Sequence, residues 1–195
     1  MNGECLMQFD KNKVKSLNDP RLISSEQIFD GHILQLYVNQ LKLDNGAIVE
    51  REIIHHLPAV CILATNEDKV VLVKQFRPAV VADIYEIPAG ILDFQSESLE
   101  QAIDGAKREL EEETGYQAEQ WQEVNSFYVS PGYLDEKITL FHATGLNKVE
   151  NPLPQDENEN VTVHEFTKAD IRQMMSQGKI VDVKTLYALQ YWLAQ

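Results

Sequence analysis

The chain has 195 residues, of which 44% are hydrophobic, and its formal net charge is −14. This length and composition predict one sizeable packed domain with a small N-terminal subdomain, and the charge argues against nucleic acid or an anionic membrane as a partner. With only two cysteines, a polar N-terminus and no long apolar stretch, the sequence argues against a disulfide scaffold, a secretion signal or a membrane span, so we expect a cytoplasmic location.

The N-terminal half of the sequence predicts mostly strands. Residues 1–30 are polar and irregular apart from one short strand, and Asp44-Asn45-Gly46 predicts a hairpin, because an Asn-Gly pair fits a tight turn between twisted strands. His55 and His56 are adjacent on a predicted strand, so they point to opposite faces and we interpret both as structural. The predicted strands are residues 24–29, 32–43, 48–55, 59–65 and 69–76.

The C-terminal half predicts helices and strands in an irregular order. A helix is expected to begin near Leu99, after a capping box formed by Ser98 and Gln101, and to end at Gly115. The remaining elements are strands at residues 123–130, 137–143 and 161–166 and helices at residues 168–177 and 183–193, capped by Thr167 and Asp182. Strands outnumber helices and do not alternate strictly with them, which argues against a doubly wound sheet.

Three glutamates on the first predicted helix point to metal chemistry. Glu109, Glu112 and Glu113 are spaced so that a helix places them on one face, whereas Glu111 faces the other way as solvated surface. Like charges at these spacings destabilise a helix by about 0.3 kcal/mol per pair. A hard divalent cation bound by carboxylate oxygens would offset that cost. From spacing alone, a charged amphipathic helix with a solvated face remains an equal alternative.

The residues around this helix resemble the signature of the Nudix hydrolases. Its specified positions are occupied by Gly90, Glu100, Arg108-Glu109-Leu110, Glu112-Glu113 and Gly115-Tyr116. The loop departs from the family pattern, because nine residues separate Gly90 from Glu100 where the family has five. The loop therefore carries a four-residue insertion near residues 95–98, which does not touch the helical carboxylates.

The resemblance implies a fold, a domain division and a metal site. The fold class would be α/β (α+β): a Nudix α/β/α sandwich around a mixed sheet, plus a small N-terminal β-sheet. Residues 1–56 would form an N-terminal segment and β-hairpin subdomain that mediates dimerisation, and residues 57–195 the Nudix hydrolase domain. The implied cofactor is Mg²⁺, with Mn²⁺ as an alternative, bound by the Ala89 carbonyl and by Glu109, Glu112, Glu113 and Glu159.

Four further segments resemble the ADP-ribose pyrophosphatase subgroup of the family. They are residues 50–56, 74–77, 130–136 and 156–160. Each also has a plainer interpretation: a surface arginine on a hairpin, a strand end, a turn and a solvated acidic loop. The roles that the resemblance implies are substrate binding by Arg51, Glu52, Arg77, Ile91 and Glu136, catalysis by Glu157 as the base together with Glu112, and a structural salt bridge between Arg108 and Glu100.

These residues predict a Mg²⁺-dependent Nudix pyrophosphatase that cleaves ADP-ribose to AMP and ribose 5-phosphate. Two alternatives stay open: the same chemistry on another nucleoside diphosphate sugar, such as a GDP- or UDP-sugar, and a ligand-sensing Nudix domain without turnover. The expected partner is a small nucleotide sugar, and the subgroup implies a homodimer. The number of metal ions and the choice between Glu157 and Glu159 as the base also stay open.

Overall fold

The computed structural model describes residues 14–95, 98–155 and 160–195, and the chain divides into two compact units. The first unit contains the N-terminal part of the chain through Pro58 together with Tyr128–Lys137. The second contains Ala59–Phe127 and Ile138–Gln195. The N-terminal sheet therefore shares its unit with a segment from much later in the chain.

The first unit is built on a three-stranded antiparallel sheet. Its strands are β1 (Leu22–Asp30), β2 (Leu34–Lys42) and β3 (Ile48–His56), in that order, and a short 3-10 helix at Lys15–Asn18 precedes them. Gly46 has a φ of 83°, a left-handed conformation that favours glycine. Its amide donates to the Leu43 carbonyl at 2.8 Å. The predicted hairpin at residues 44–46 is therefore confirmed.

The second unit is built on a larger, mixed sheet. The remaining strands of the described chain are β4 (Ala59–Asn66), β5 (Lys69–Arg77), β6 (Ala82–Glu86), β7 (Ala89–Ile91), β8 (Phe94–Gln95), β9 (Ser98–Leu99), β10 (Tyr116–Tyr128), β11 (Lys137–Lys148) and β12 (Thr162–Thr167). The seven-stranded sheet has the order β10-β11-β4-β5-β12, with β6 paired to β5 and β7 to β4. Strand β11 is parallel to β4, whereas β5 is antiparallel to β4, β6 and β12.

Helices cover the central strand of this sheet. They are α1 (Ala102–Thr114), α2 (Lys168–Ser176) and α3 (Val183–Leu193). All seven residues 59–65 of β4 are buried, and since successive strand side chains point to opposite faces, both faces must be covered. Val60 and Ile62 share a core cluster with Leu110 of α1, and α3 also contacts β4. The predicted α/β/α fold with a mixed sheet and a small second sheet is confirmed.

The predicted start of the first helix is wrong. Helix α1 begins at Ala102, its N-cap is Gln101, and no side chain caps it. Ser98 instead lies in β9, which pairs with β8. Phe94–Gln95 and Ser98–Leu99 therefore pair as a short two-stranded ribbon, and this pairing takes Ser98 away from the helix terminus.

The other helix boundaries follow their capping residues closely. Gly115 ends α1 in the left-handed conformation with a φ of 69°, and Thr167 caps α2 in a complete capping box with Asp170. Asp182 caps α3 by accepting from the Thr185 amide. Strand β10 begins at Tyr116, seven residues earlier than predicted, because the chain passes directly from Gly115 into the sheet.

Candidate active site

The acidic residues of α1 differ sharply in their surroundings. Glu109 and Glu113 are only 7% and 1% exposed, and Glu112 is half-buried. Glu111 points elsewhere, where its carboxylate accepts from Gln117 Nε2 at 2.7 Å and from the Leu153 amide at 3.1 Å. Glu111 therefore points away from the other three glutamates, and its hydrogen bonds at the surface link α1 to later segments of the chain.

Arg108 is the hub of this acidic face. Its Nη1 donates to Glu109 Oε1 at 2.7 Å and to Glu112 Oε2 at 2.8 Å, while its Nη2 donates to Glu100 Oε2 at 3.0 Å and to the Ile91 carbonyl at 3.1 Å. Burial alone would lower the pKa of Arg108, but the surrounding carboxylates outweigh burial and raise it. The structure thus brings Glu100, Ile91 and two of the three helical glutamates around one guanidinium.

A glycine lets the loop before α1 approach the glutamates closely. A Cβ atom at Gly90 would lie 2.0 Å from Glu109 Oε1, so any larger residue would displace this carboxylate. The neighbouring Ala89 amide donates to Glu113 Oε2 at 2.9 Å. The Ala89–Ile91 strand therefore lies directly against the two most buried glutamates, because position 90 has no side chain.

The insertion leaves Glu100 in contact with Arg108. The Glu100 amide donates to the Asp93 carbonyl at 2.8 Å, which closes the chain across the β8–β9 ribbon. Glu100 is buried, and its carboxylate also accepts from the Asp93 amide at 3.3 Å. Asp93 and Glu100 are thus held together at the base of this segment, and Glu100 keeps its contact with Arg108.

The oxygen atoms gathered here suit a hard divalent cation by chemical type. Glu109, Glu112 and Glu113 offer carboxylates and Ala89 a backbone carbonyl, and such oxygen donors are those that Mg²⁺ binds in proteins. Because residue 90 is a glycine, no side chain occupies the space next to the Glu109 carboxylate. Within residues 14–95, 98–155 and 160–195, no three acidic, imidazole or thiol groups form a ready metal cage. In this structure Arg108 supplies the neutralising charge between Glu109 and Glu112.

Arg77 belongs to a second buried charge cluster that the sequence did not reveal. Its Nε and Nη2 donate to the two carboxylate oxygens of Glu86, at 2.6 and 3.2 Å. Lys184, which is buried at the start of α3, donates to the same Glu86 carboxylate. The contact between Arg77 and Glu86 depends on the pairing of β5 with β6, and strand β6 was not predicted. Lys184 lies 98 positions from Glu86, so the sequence gives no local signal of their contact.

The first unit holds the other candidate substrate residues. Arg51 and Glu52 are exposed on β3 and line a cavity of about 440 Å³. Tyr133, 53% exposed, lines the same cavity and was not singled out from the sequence, although it directly follows the Ser-Pro-Gly turn. The other lining residues are Leu36, Glu50 and Ile54.

The segment that carries Tyr133 is fixed to β3 by Asp135. The carboxylate of Asp135 lies 2.7 Å from His55 Nδ1 and accepts from the His56 amide at 2.9 Å. Backbone bonds join Ile54 to Tyr133 and Asp135 on either side. Glu136 lies 3.7 Å from His56 Nδ1. Both histidines therefore make contacts within this unit, consistent with a structural role.

Two predicted site residues lie outside the described residues. Glu157 and Glu159 fall in the segment 156–159, and Cys5 falls in the segment before residue 14. Cys61 is described and buried in β4. None of the described helices is long and apolar enough to cross a membrane.

Comparison with known proteins identifies the class of this enzyme. The NUDIX domain matches residues 55–184, which is more than half of the chain. The chain therefore belongs to the Nudix hydrolase family, and the resemblance predicted from the glutamate-rich helix is confirmed.

Individual relatives cover nearly the whole chain. An ADP-ribose pyrophosphatase of Bacillus subtilis (strain 168) is 42% identical over 179 residues, covering 91% of this chain and 94% of that protein. A methanol dehydrogenase activator of Bacillus methanolicus is 43% identical over 176 residues, covering 90% and 93%. The crystal structure of an ADP compounds hydrolase superposes with a TM-score of 0.76 at 20% identity, covering 89% of this chain and 93% of that one, and at this identity the likeness shows the fold.

Proposed function

We propose that this protein hydrolyses the pyrophosphate bond of ADP-ribose, with Mg²⁺, to give AMP and ribose 5-phosphate. The observation that carries the proposal is the pair of buried carboxylates, Glu109 and Glu113, against the Ala89–Ile91 strand. Burying two carboxylates this close together is costly, and a site that binds a cation gives the pair a function. The 42% identity to an ADP-ribose pyrophosphatase supports the choice of substrate.

Each candidate residue has a role in this proposal. Ala89, Glu109, Glu112 and Glu113 would hold Mg²⁺ or Mn²⁺, together with Glu159. When bound, the metal neutralises phosphate charge and makes a coordinated water more acidic. Arg108, with Glu100, positions the helical carboxylates and the Ile91 carbonyl.

The remaining residues would bind the substrate or move its proton. Arg77 binds a phosphate oxygen, and Arg51, Glu52, Ile91 and Glu136 contact the rest of the substrate. Glu157 accepts the proton of the attacking water. An arginine suits phosphate recognition because its planar guanidinium offers paired donors.

A substrate panel tests the proposal. The panel contains ADP-ribose, ADP-glucose, GDP-mannose and UDP-glucose, with kcat/KM measured with and without Mg²⁺, and Glu113→Gln serves as the inactive control. We expect ADP-ribose to rank first and turnover to require the metal. A GDP- or UDP-sugar ranked first would replace the substrate, and tight binding without turnover of any compound would support a ligand sensor instead.

A second candidate function rests on the relative that is named a methanol dehydrogenase activator. Its 43% identity is as high as that of the ADP-ribose pyrophosphatase, so similarity alone does not separate the two. The test adds the wild-type protein or Glu113→Gln to a purified methanol dehydrogenase and measures its rate. Stimulation by the wild type but not by the variant would support an activator that works through hydrolysis.

We also propose that the protein is a cytoplasmic homodimer. The two expectations come from the subgroup resemblance and from the composition of the chain. Apolar side chains exposed on the three-stranded sheet support the dimer.

A further inference from the structure

A buried cluster of four charged side chains joins strands β5 and β6 to the start of α3. Glu86 is at its centre, with its side chain only 3% exposed. One carboxylate oxygen accepts from Lys184, whose side chain is 10% exposed, and the other accepts from Arg77 Nε at 2.6 Å. Lys184 Nζ also lies 3.1 Å from Asp182 Oδ2. Burial alone would lower the pKa of Lys184, but Asp182 and Glu86 outweigh burial and raise it, so this lysine is charged.

The next residue of α3 is attached to the same loop. Thr185 is fully buried, and its Oγ1 accepts from the Ile87 amide at 2.9 Å. Asp182 orients this hydroxyl by accepting from it at 2.6 Å. The first turn of α3 therefore contacts two consecutive residues, Glu86 and Ile87. Two residues further along, Ala89 donates to Glu113 of the candidate active site.

Arg77 is the member of the cluster that can reach a ligand. Its side chain is 40% exposed, whereas the other three charged side chains are nearly buried. In the described part of the chain its hydrogen bonds use Nε and Nη2, so Nη1 is available to a phosphate oxygen. Burial alone would lower the pKa of Arg77, but its hydrogen bonds and ion pair with Glu86, and to a smaller extent the charge of Glu113 on the acidic helix, raise it.

We propose that Lys184 is a positioning residue: it holds the Glu86 carboxylate so that Arg77 presents its Nη1 group to a substrate phosphate. The inference rests on the proposed function, in which Arg77 binds the diphosphate. With Lys184 present, the charges of Arg77, Lys184, Glu86 and Asp182 sum to zero. Without Lys184 these charges sum to −1, and Arg77 is then the single cation beside the carboxylates of Glu86 and Asp182. An anionic substrate would then meet repulsion where it now meets an available guanidinium.

The test compares Lys184→Met with Lys179→Met, an exposed lysine just before α3. The measurements are kcat and KM for ADP-ribose and, separately, the Kd for non-hydrolysable α,β-methylene ADP-ribose in Mg²⁺. Because a phosphate contact made in both the ground state and the transition state acts mainly on KM, Lys184→Met should raise KM and Kd about tenfold while kcat changes less than about threefold. Lys184→Arg should restore part of the affinity, and Lys179→Met should match the wild type.

A double-mutant cycle separates positioning from a general structural role. If Lys184 acts through Arg77, adding Lys184→Met to Arg77→Gln should change the Kd no further. If each substitution weakened binding by its own factor and the double variant showed the product of the two factors, the proposal would be overturned. A Lys184→Met protein that binds like the wild type would also overturn it.

Two further arms keep the result interpretable. Lys184→Met leaves a buried carboxylate with one cation, so Glu86→Gln with Lys184→Met removes both charges in case the single variant does not fold. The double variant returns the charge sum to zero but leaves Arg77 without the carboxylate that orients it, so its Kd should stay raised. Wild-type affinity in this folded double variant would show that charge balance alone sets the affinity and would overturn positioning by Lys184. If the wild type neither binds nor cleaves ADP-ribose, the proposed function fails. The KM and Kd of each variant relative to the wild type are then measured with the best compound of the substrate panel.

Discussion

Arg108 changes how the charges on α1 should be understood. The sequence predicts repulsion between Glu109, Glu112 and Glu113, and the structure gives two of them a guanidinium at 2.7–2.8 Å. The third accepts from the Ala89 amide. Repulsion is therefore already offset by hydrogen-bonded partners within the protein, and a metal would add to this arrangement. The family resemblance already implied the salt bridge between Arg108 and Glu100, whereas the hydrogen bond from Arg108 to the Ile91 carbonyl was not predicted.

The first prediction concerns the helical carboxylates. Glu112→Gln and Glu113→Gln should each lower kcat/KM about 10³-fold, or about 4 kcal/mol of transition-state stabilisation, because each removes a charge that helps neutralise the phosphates. Asp104→Asn, an exposed carboxylate on the same helix, is the matched control. Glu113→Gln should also lower the free energy of unfolding by about 1 kcal/mol, since Glu113 accepts a charge-assisted bond. Full activity of Glu113→Gln would remove it from the site.

The second prediction concerns Cys61. Burial in β4 raises the pKa of its thiol from 9.0 to about 12, so almost no thiolate exists at pH 8. Iodoacetamide should therefore leave Cys61 unmodified in the native protein and modify it in urea, as read by peptide mass spectrometry. Because the folded state disfavours the thiolate, this group leaves stability unchanged below pH 9 and lowers it as the pH rises toward 12. Rapid alkylation of native Cys61 at pH 8 would contradict its assigned burial.

The third prediction assigns the two acidic loop residues. If Glu157 is the base, Glu157→Gln should lower kcat by about 10²–10⁴-fold with little change in KM, because the proton moves only in the transition state. If Glu159 is a metal ligand, Glu159→Gln should be partly rescued by higher Mg²⁺ concentrations, whereas Glu157→Gln should not. The reverse pattern, with rescue at position 157 only, would exchange the two roles.

At the scale of elements, the sequence predicted the ends of helices better than it predicted short paired strands. Thr167, Asp182 and Gly115 lie at the termini that their side chains or conformations predict, because capping depends on residues within one turn. The ribbon at residues 94–99 and the short strand β6 were not predicted, since strand pairing depends on distant partners. The same limit explains why Arg77 was recognised as a candidate while Glu86, which binds Arg77, and Lys184, which binds Glu86, were not.

The fourth prediction uses the missing cap of α1. Gln101 is the N-cap with Asp104 three residues later, the same spacing as Thr167 and Asp170 in the capping box of α2. Gln101→Thr should complete an equivalent box and stabilise the protein by about 1 kcal/mol, which corresponds to about 3 °C in Tm for a chain of this size. Thr167→Ala should cost a similar amount and calibrates the measurement. An unchanged or lower Tm for Gln101→Thr would mean that the α1 terminus cannot adopt this geometry.

At the scale of the whole molecule, the three-stranded sheet exposes an unusual amount of apolar surface. Five large hydrophobic side chains of this region are at least half exposed: Ile23, Ile28, Phe29, Ile33 and Ile48. Scattered exposed hydrophobic residues are ordinary on a monomer, but several on one small sheet are typical of an interaction surface. A second copy of the chain is the partner that the subgroup resemblance predicts.

The fifth prediction is that this sheet mediates the homodimer. The full-length protein should sediment as a dimer, and Phe29→Asp or Ile48→Asp should shift it to a monomer, because a buried unpaired carboxylate opposes association far more than an exposed one. Val80→Asp, at a side chain of the second unit that is 61% exposed, is the matched control and should remain dimeric. Circular dichroism should show all three variants folded, since each replaced side chain is already exposed. A monomeric wild-type protein with full activity, or dimers of unchanged stability in both sheet variants, would show that the sheet is not the interface.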